Sequence, residues 1–286
     1  MANAREEARQ LAAQQAKKAA KSSTRWIQLT VLAVVALIVG IVAVVVINGN
    51  RNQIPEAGPV PTSANQYGGI VITADGIQKN SSSEASRDSK TLAEPTASYS
   101  AANGQEAAYP PGVQTPEEAK TNGQPVRLTI FQDFECIHCA NFESQYGDQI
   151  AELVKSGQIT LELRNLTYLD ASSPTLYSSR ANNVAYSVAN QVSGEDYLAY
   201  QKEVFSHQGT GGLSNEELAE IAQKYGADVK EDIKNNTWRP FVRTVTLESS
   251  KNGISGTPTI FADGEIYNTT DFSAWISQKI ADKQNQ

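Results

Sequence analysis

VRLTIFQDFECIHC, residues 126–139, decides the fold. Val126–Phe134 is rich in branched and aromatic residues that favour a buried strand. A helix is predicted from Cys136 to about Lys155, with Phe142, Tyr146, Ile150, Leu153 and Val154 at helical spacing. Both cysteines of the chain stand at this strand-to-helix junction, separated only by Ile137 and His138. There the first thiol meets unpaired N–H groups and the positive end of the helix dipole. Such a setting, helped by a protonated His138, lowers a cysteine pKa from ~8.5 by about 1–5 units. Cys136 is therefore the expected exchanging sulfur. Cys139, one turn deeper and shielded, is expected to resolve the mixed disulfide and release oxidised client.

Two other uses of the pair follow from the residues. A structural disulfide stabilises by closing a long loop, and a two-residue spacer closes almost none. A four-ligand zinc site needs a second ligand pair, and the chain holds two Cys and two His in all, the other imidazole being His207. Thiolate binding of Cu(I), which takes fewer ligands, stays open.

Downstream, Gln158–Leu163 reads as a strand. Helices are predicted over 174–192, 196–205, 214–225 and 228–252, with Ser214 and Glu217 forming a capping-box signature. Tyr168, Tyr177, Tyr186 and Phe205 are expected in the core of this helical block. Thr259–Ala262 and Glu265–Tyr267 flank Asp263-Gly264, a hairpin signal, and a last helix is predicted over 271–282. The order is β-α-β, a helical block, then β-β-α, an α/β fold.

Upstream, Ile27 to Ile47 (IQLTVLAVVALIVGIVAVVVI) is uncharged. At helical rise it spans about 30 Å, the thickness of a hydrocarbon core, and Trp26 is placed as an interfacial anchor. A cleaved signal peptide fits less well, because its apolar stretch is normally ~7–15 residues. Six basic residues in 1–25 (Arg5, Arg9, Lys17, Lys18, Lys21, Arg25) place that tail in the cytoplasm and residues 49–286 outside. The expected organisation is a cytoplasmic basic tail (1–25), a single transmembrane helix (26–48), a flexible extracytoplasmic linker (49–123) and a folded domain (124–286). Pro55, Gly58, Pro59 and Pro61 mark the linker's start. Residues 69–73 are expected to form an edge strand. Residues 79–123, poor in large apolar groups, are expected to be mobile. With 24 Lys+Arg against 31 Asp+Glu the net charge is −7, which argues against a general affinity for nucleic acid.

A second motif lies far downstream. Residues 253–261, GISGTPTIF, together with VRLTIFQDFECIHC, resemble the active-site segments of the thioredoxin superfamily. The Cys-x-His-Cys form and the intervening helical block resemble its DsbA-like branch over residues 124–284, and the anchored architecture is similar to membrane-bound actinobacterial members. The resemblance implies a thioredoxin-like fold with a helical insertion and a cis peptide bond before Pro258 facing the cysteines. It also implies a client-binding surface at Thr257, Pro258 and Ile137. The redox group would be the Cys136–Cys139 disulfide, with no added cofactor and no metal. Partners implied are reduced exported proteins and a membrane reoxidant of DsbB-like or vitamin K epoxide reductase-like type. His138 favours a dithiol oxidase, whereas Thr257 before the proline also occurs in isomerase-type relatives. A reductase or isomerase, or a non-catalytic copper-handling module, are the alternatives.

One departure stands out. Thioredoxin and the enteric DsbA carry a buried acid six residues before the first cysteine, and here that position is Ile130. Asp133 and Glu135 are the nearest carboxyls in sequence, with Glu135 read as a solvated rim charge. His207 is read as a loop residue. The sequons at Asn80, Asn165, Asn235 and Asn268 are read as chance.

Overall fold

The structure, a computed structural model, describes residues 54–95, 97–100, 106–208 and 211–285. The expected tail and membrane helix, residues 1–25 and 26–48, lie outside the described residues. Among the described residues, no helix is long and apolar enough to cross a membrane.

In chain order the elements are β1 (Ala57–Pro59), β2 (Gly69–Thr73), β3 (Gly76–Ile77), β4 (Ser86–Asp88), β5 (Ser98–Ser100), β6 (Glu106–Ala108), α1 (Pro116–Thr121), β7 (Val126–Gln132) and α2 (Ile137–Lys155). There follow β8 (Ile159–Asn165), a 3-10 turn (Tyr168–Ala171), α3 (Tyr177–Ala189), α4 (Gly194–Ser206), α5 (Asn215–Lys224), α6 (Lys230–Asn235) and α7 (Arg239–Lys251). β9 (Thr259–Ala262), β10 (Glu265–Ile266) and α8 (Phe272–Gln284) complete it.

The main sheet has the order β10-β9-β7-β8-β2-β3. β7 runs parallel to β8 and antiparallel to β9, so Ile130 pairs in register with both Leu163 and Ile260. All of β7 except Arg127 is buried, as expected of a central strand covered on both faces. α2 packs on β8 and β2, while α8 packs against β7. Asp263 and Gly264 both take positive φ, giving the tight turn their sequence predicts between β9 and β10.

Residues 54–123 differ most from expectation. β2 lies inside the sheet, between β8 and β3, and not at an edge. Its Ile70, Val71 and Ile72 are buried. Gly69 is required there, because a side chain would collide with the Glu162 carboxylate. The rest of the segment, expected to be mobile, is fastened to the domain by polar anchors. Arg87 pairs with Glu248 of α7 at 2.5 Å, both nearly fully buried. The Ala93 N–H donates to the same carboxylate at 2.6 Å, and Gln114 donates to Asp263 at 2.9 Å. Val60, Tyr109, Val113 and Ala119 add small apolar contacts. Composition counts apolar groups and misses an attachment carried by a buried ion pair and hydrogen bonds.

The helix expected over 228–252 is two helices. Asn236 takes a left-handed conformation (φ 51°) that ends α6, and Pro240 sits in the first turn of α7.

Candidate active site

Cys136 is the N-cap residue of α2, with extended backbone (φ −80°, ψ 117°) and no side-chain cap on the helix. Its sulfur therefore stands where a capping acceptor would, facing the backbone N–H groups of His138 and Cys139. Its own N–H is tied to the Asp133 carbonyl at 3.0 Å. Both cysteines are free thiols. Cys136 is 6 % exposed and Cys139 2 %, whereas Ile137 between them is 50 % exposed. His138 is exposed as well.

The two sulfurs are electrostatically unlike. Cys136 is held down to about 5, first by the hydrogen bond from the Cys139 thiol, then by the Thr257 side chain and the two backbone N–H groups, against the cost of burial. Cys139 is pushed far up by burial and by the neighbouring Cys136 sulfur. What reaches Cys136 from His138 is its backbone N–H.

The second wall is the loop after α7. The Thr257–Pro258 peptide bond is cis, as the resemblance implies. The Cys136 sulfur lies 3.2 Å from the Thr257 carbonyl oxygen. A neutral thiol can donate to that oxygen and a thiolate cannot, so this contact opposes ionisation while the Thr257 side chain favours it. Upstream, Ile254 is buried and its carbonyl accepts from the Tyr168 hydroxyl. Thus Ile137, Cys136, Thr257 and Pro258 share one rim, and Cys139 lies beneath it.

Ile130 is buried in an apolar register, and the nearby end of β7 carries a polar network instead. Gln132 donates to Asn165 at 2.8 Å and to Gln201 at 2.7 Å. Gln201 donates in turn to Glu143 at 3.0 Å. Burial pushes the Glu143 carboxyl up to about 7. Tyr177, Tyr186 and Phe205 are core residues as expected. Tyr168 is half-buried and reaches the proline loop instead. His207 closes α4 as its C-cap residue. Glu135 is half-buried, and its carboxylate faces the Ser178 hydroxyl at 3.4 Å. Ser178 had no sequence signal, since only the fold brings α3 to this loop. Among the described residues, no group of three or more His, Cys, Asp or Glu is placed to hold a metal ion.

A helix-capping thiolate over a buried thiol, walled by a cis-proline loop, is a site for thiol–disulfide exchange. The thioredoxin family profile matches residues 122–280, and the chain belongs to that family. No curated protein sequence matches it. Among solved structures it is similar to BdbD from Bacillus subtilis in oxidised form (17% identity, TM-score 0.50, covering 61% of this chain and 98% of that one). It is also similar to reduced DsbA from Mycobacterium tuberculosis (25% identity, TM-score 0.49, 56% and 83% covered). MdbA from Corynebacterium diphtheriae, described as a thiol-disulfide oxidoreductase, matches at 19% identity and TM-score 0.47, with 66% and 95% covered. The chain is thus a thioredoxin-family protein that shares its fold with BdbD and carries the Cys136 and Cys139 pair at its site.

Proposed function

We propose that this protein is an extracytoplasmic dithiol oxidase, anchored by residues 26–48, that introduces disulfides into exported proteins. The observation that carries this reading is the asymmetry of the sulfurs, with Cys136 held down to about 5 above a buried Cys139. A stabilised thiolate favours the reduced form of the pair and makes its disulfide a strong oxidant.

In the forward step a client thiolate attacks the Cys136 sulfur of the Cys136–Cys139 disulfide. A client–Cys136 bond forms and the Cys139 sulfur leaves with the electron pair, taking up a proton. The second client thiolate then attacks the client sulfur of the mixed disulfide, and Cys136 departs as the stabilised thiolate. This electron count corrects the expectation that Cys139 releases oxidised client: attack by Cys139 would return the client reduced. The two electrons left on the protein pass to a membrane reoxidant, of DsbB-like or vitamin K epoxide reductase-like type. Exposed Ile137 offers an apolar contact beside the reacting sulfur, and the Thr257–Pro258 rim meets an extended client segment.

The test is the Cys136–Cys139 reduction potential of the full chain, equilibrated in glutathione buffers. A value near about −120 mV, that of a strongly oxidising DsbA, supports the oxidase. A value near about −270 mV, that of thioredoxin, replaces it with a reductase fed with electrons across the membrane. Extraction of the chain by alkaline carbonate, without detergent, would remove the anchor from the proposal. Stoichiometric thiolate-to-Cu(I) charge transfer with no client exchange would favour copper handling.

A further inference from the structure

Asp133 is fully buried, and the exchange chemistry described above leaves its carboxyl without a task. Its main chain already serves the site. The carbonyl accepts the Cys136 N–H at 3.0 Å, and the backbone N–H faces the Cys139 sulfur. The carboxyl gathers three donors from three separate pieces of structure. Oδ1 accepts the Glu135 N–H of the cysteine loop at 2.9 Å and the Ser178 hydroxyl of α3 at 2.5 Å. Oδ2 accepts the Leu169 N–H of the 3-10 turn at 3.1 Å. That turn carries Tyr168, whose hydroxyl holds the Ile254 carbonyl of the proline loop.

We propose that Asp133 is the positioning residue that sets the cysteine loop against the cis-proline loop, through Leu169, Tyr168 and Ile254. The inference rests on the exchange reading of the site but not on its direction. A buried carboxylate without a cation is costly unless it is fully hydrogen-bonded. The titratable groups facing it are Tyr168 and Asp170 of the turn, Tyr177 of α3 and Glu135 of its own loop. The Arg180 guanidinium of α3 is turned elsewhere and donates to the Thr175 and Leu213 carbonyls and to Asn215. Burial pushes Asp133 up to about 6, against its three hydrogen bonds. Ionised, the carboxyl accepts all three donors. Protonated, it gives up an acceptor position and its hold on the turn weakens.

The experiment measures exchange between the full chain and a cysteine peptide in both directions, over pH. The rate is divided by the Cys136 thiolate fraction read from ultraviolet absorbance. Wild type should retain one rise near pH 6 in this ratio. Asp133→Asn keeps the Glu135 and Ser178 bonds but turns a donor toward the Leu169 N–H. It should lose the rise and slow exchange roughly tenfold to a hundredfold, the scale of a misplaced reacting group. Ser178→Ala, which removes a donor, should move the rise to higher pH, and Tyr168→Phe should slow exchange while keeping it. These two variants keep the carboxyl and so report even where Asp133→Asn folds poorly. A ratio flat with pH in wild type, or unchanged in Ser178→Ala, overturns the proposal. A protein that only reduces the peptide still reports Asp133, so failure of the oxidase reading remains separate.

Discussion

The Cys136 sulfur and the Thr257 carbonyl oxygen lie 3.2 Å apart across 121 residues of chain. The thiolate is thus formed by one end of the domain and walled by the other, since α2 supplies the N–H groups and the loop before β9 supplies the roof.

Thr257→Val removes a hydroxyl that favours the thiolate and leaves the carbonyl that favours the thiol. The Cys136 pKa should rise. A hydrogen bond to a charged group contributes about 1.5–3 kcal/mol, so the thiolate fraction at pH 5 should fall on the order of tenfold. Ultraviolet titration of reduced Cys136 reads this directly, and an unchanged midpoint excludes the Thr257 side chain as a contributor.

Iodoacetamide at mildly acid pH should modify Cys136 alone in the reduced protein, because Cys139 is buried and its thiol strongly favoured. Offered a client disulfide, the Cys136 thiolate of Cys139→Ser should attack it, release one client thiolate and accumulate as a mixed disulfide that no second thiol resolves, while Cys136→Ser should form none. Peptide mapping that finds Cys139 labelled first would reverse the assigned roles.

Glu162 is fully buried between Arg127 and Arg164, at 2.7 and 2.8 Å. Burial alone would raise its carboxyl, yet the two guanidiniums bring it down to about 2 from an ordinary 4.5. A depressed carboxyl stabilises the fold in full above the unfolded value of 4.5 and ceases to do so as pH falls through about 2. Glu162→Gln leaves Arg164 buried without its partner and should cost about 3–5 kcal/mol at neutral pH. Its stability should also fall less steeply than wild type on acidification below 4.5. Denaturant melts of both proteins across that range check the sign.

A fragment beginning at residue 122, the start of the family match, should not fold. It lacks β2, whose Ile70, Val71 and Ile72 cover β8, each contributing about 1.5–3 kcal/mol. That sum is a large part of a typical total of about 5–15 kcal/mol. Within the intact chain, Arg87→Ala leaves Glu248 buried and unpaired, and should cost about 3–5 kcal/mol. Cooperative unfolding of the fragment at the wild-type temperature would refute the structural role of residues 54–121.

The strand-to-helix junction at Cys136 and the hairpin at Asp263-Gly264 were legible because their signals are local. A residue type at a fixed offset sets the backbone, and the backbone sets the site. The GISGTPTIF segment was legible by family resemblance. The strand at 69–73 is where the sequence puts it, but the mobility expected over 79–123 does not hold at Arg87, because that attachment is non-local: Arg87 reads as a solvated charge until α7 brings Glu248 to it. Asp133 shows the same limit within the site. Its sequence position announces proximity to Cys136, but Leu169 and Ser178 reach it only through the folded helical block. Asn236 breaks a long helical pattern with a single left-handed residue, which periodicity averages away.

Strand β2 has a consequence in time. It is synthesised well before β8, the neighbour it pairs with, so Ile70–Ile72 stay exposed until the catalytic motif has already emerged. Thr257 is made later still. Through that interval the nascent chain carries an unroofed pair of thiols beside an unpaired apolar strand, and the enzyme is then itself a vulnerable client of the oxidising compartment proposed for it. Contacts of such long sequence separation close slowly, so β8 ends the exposure of the strand and the later-made Thr257, just before β9, ends that of the thiols.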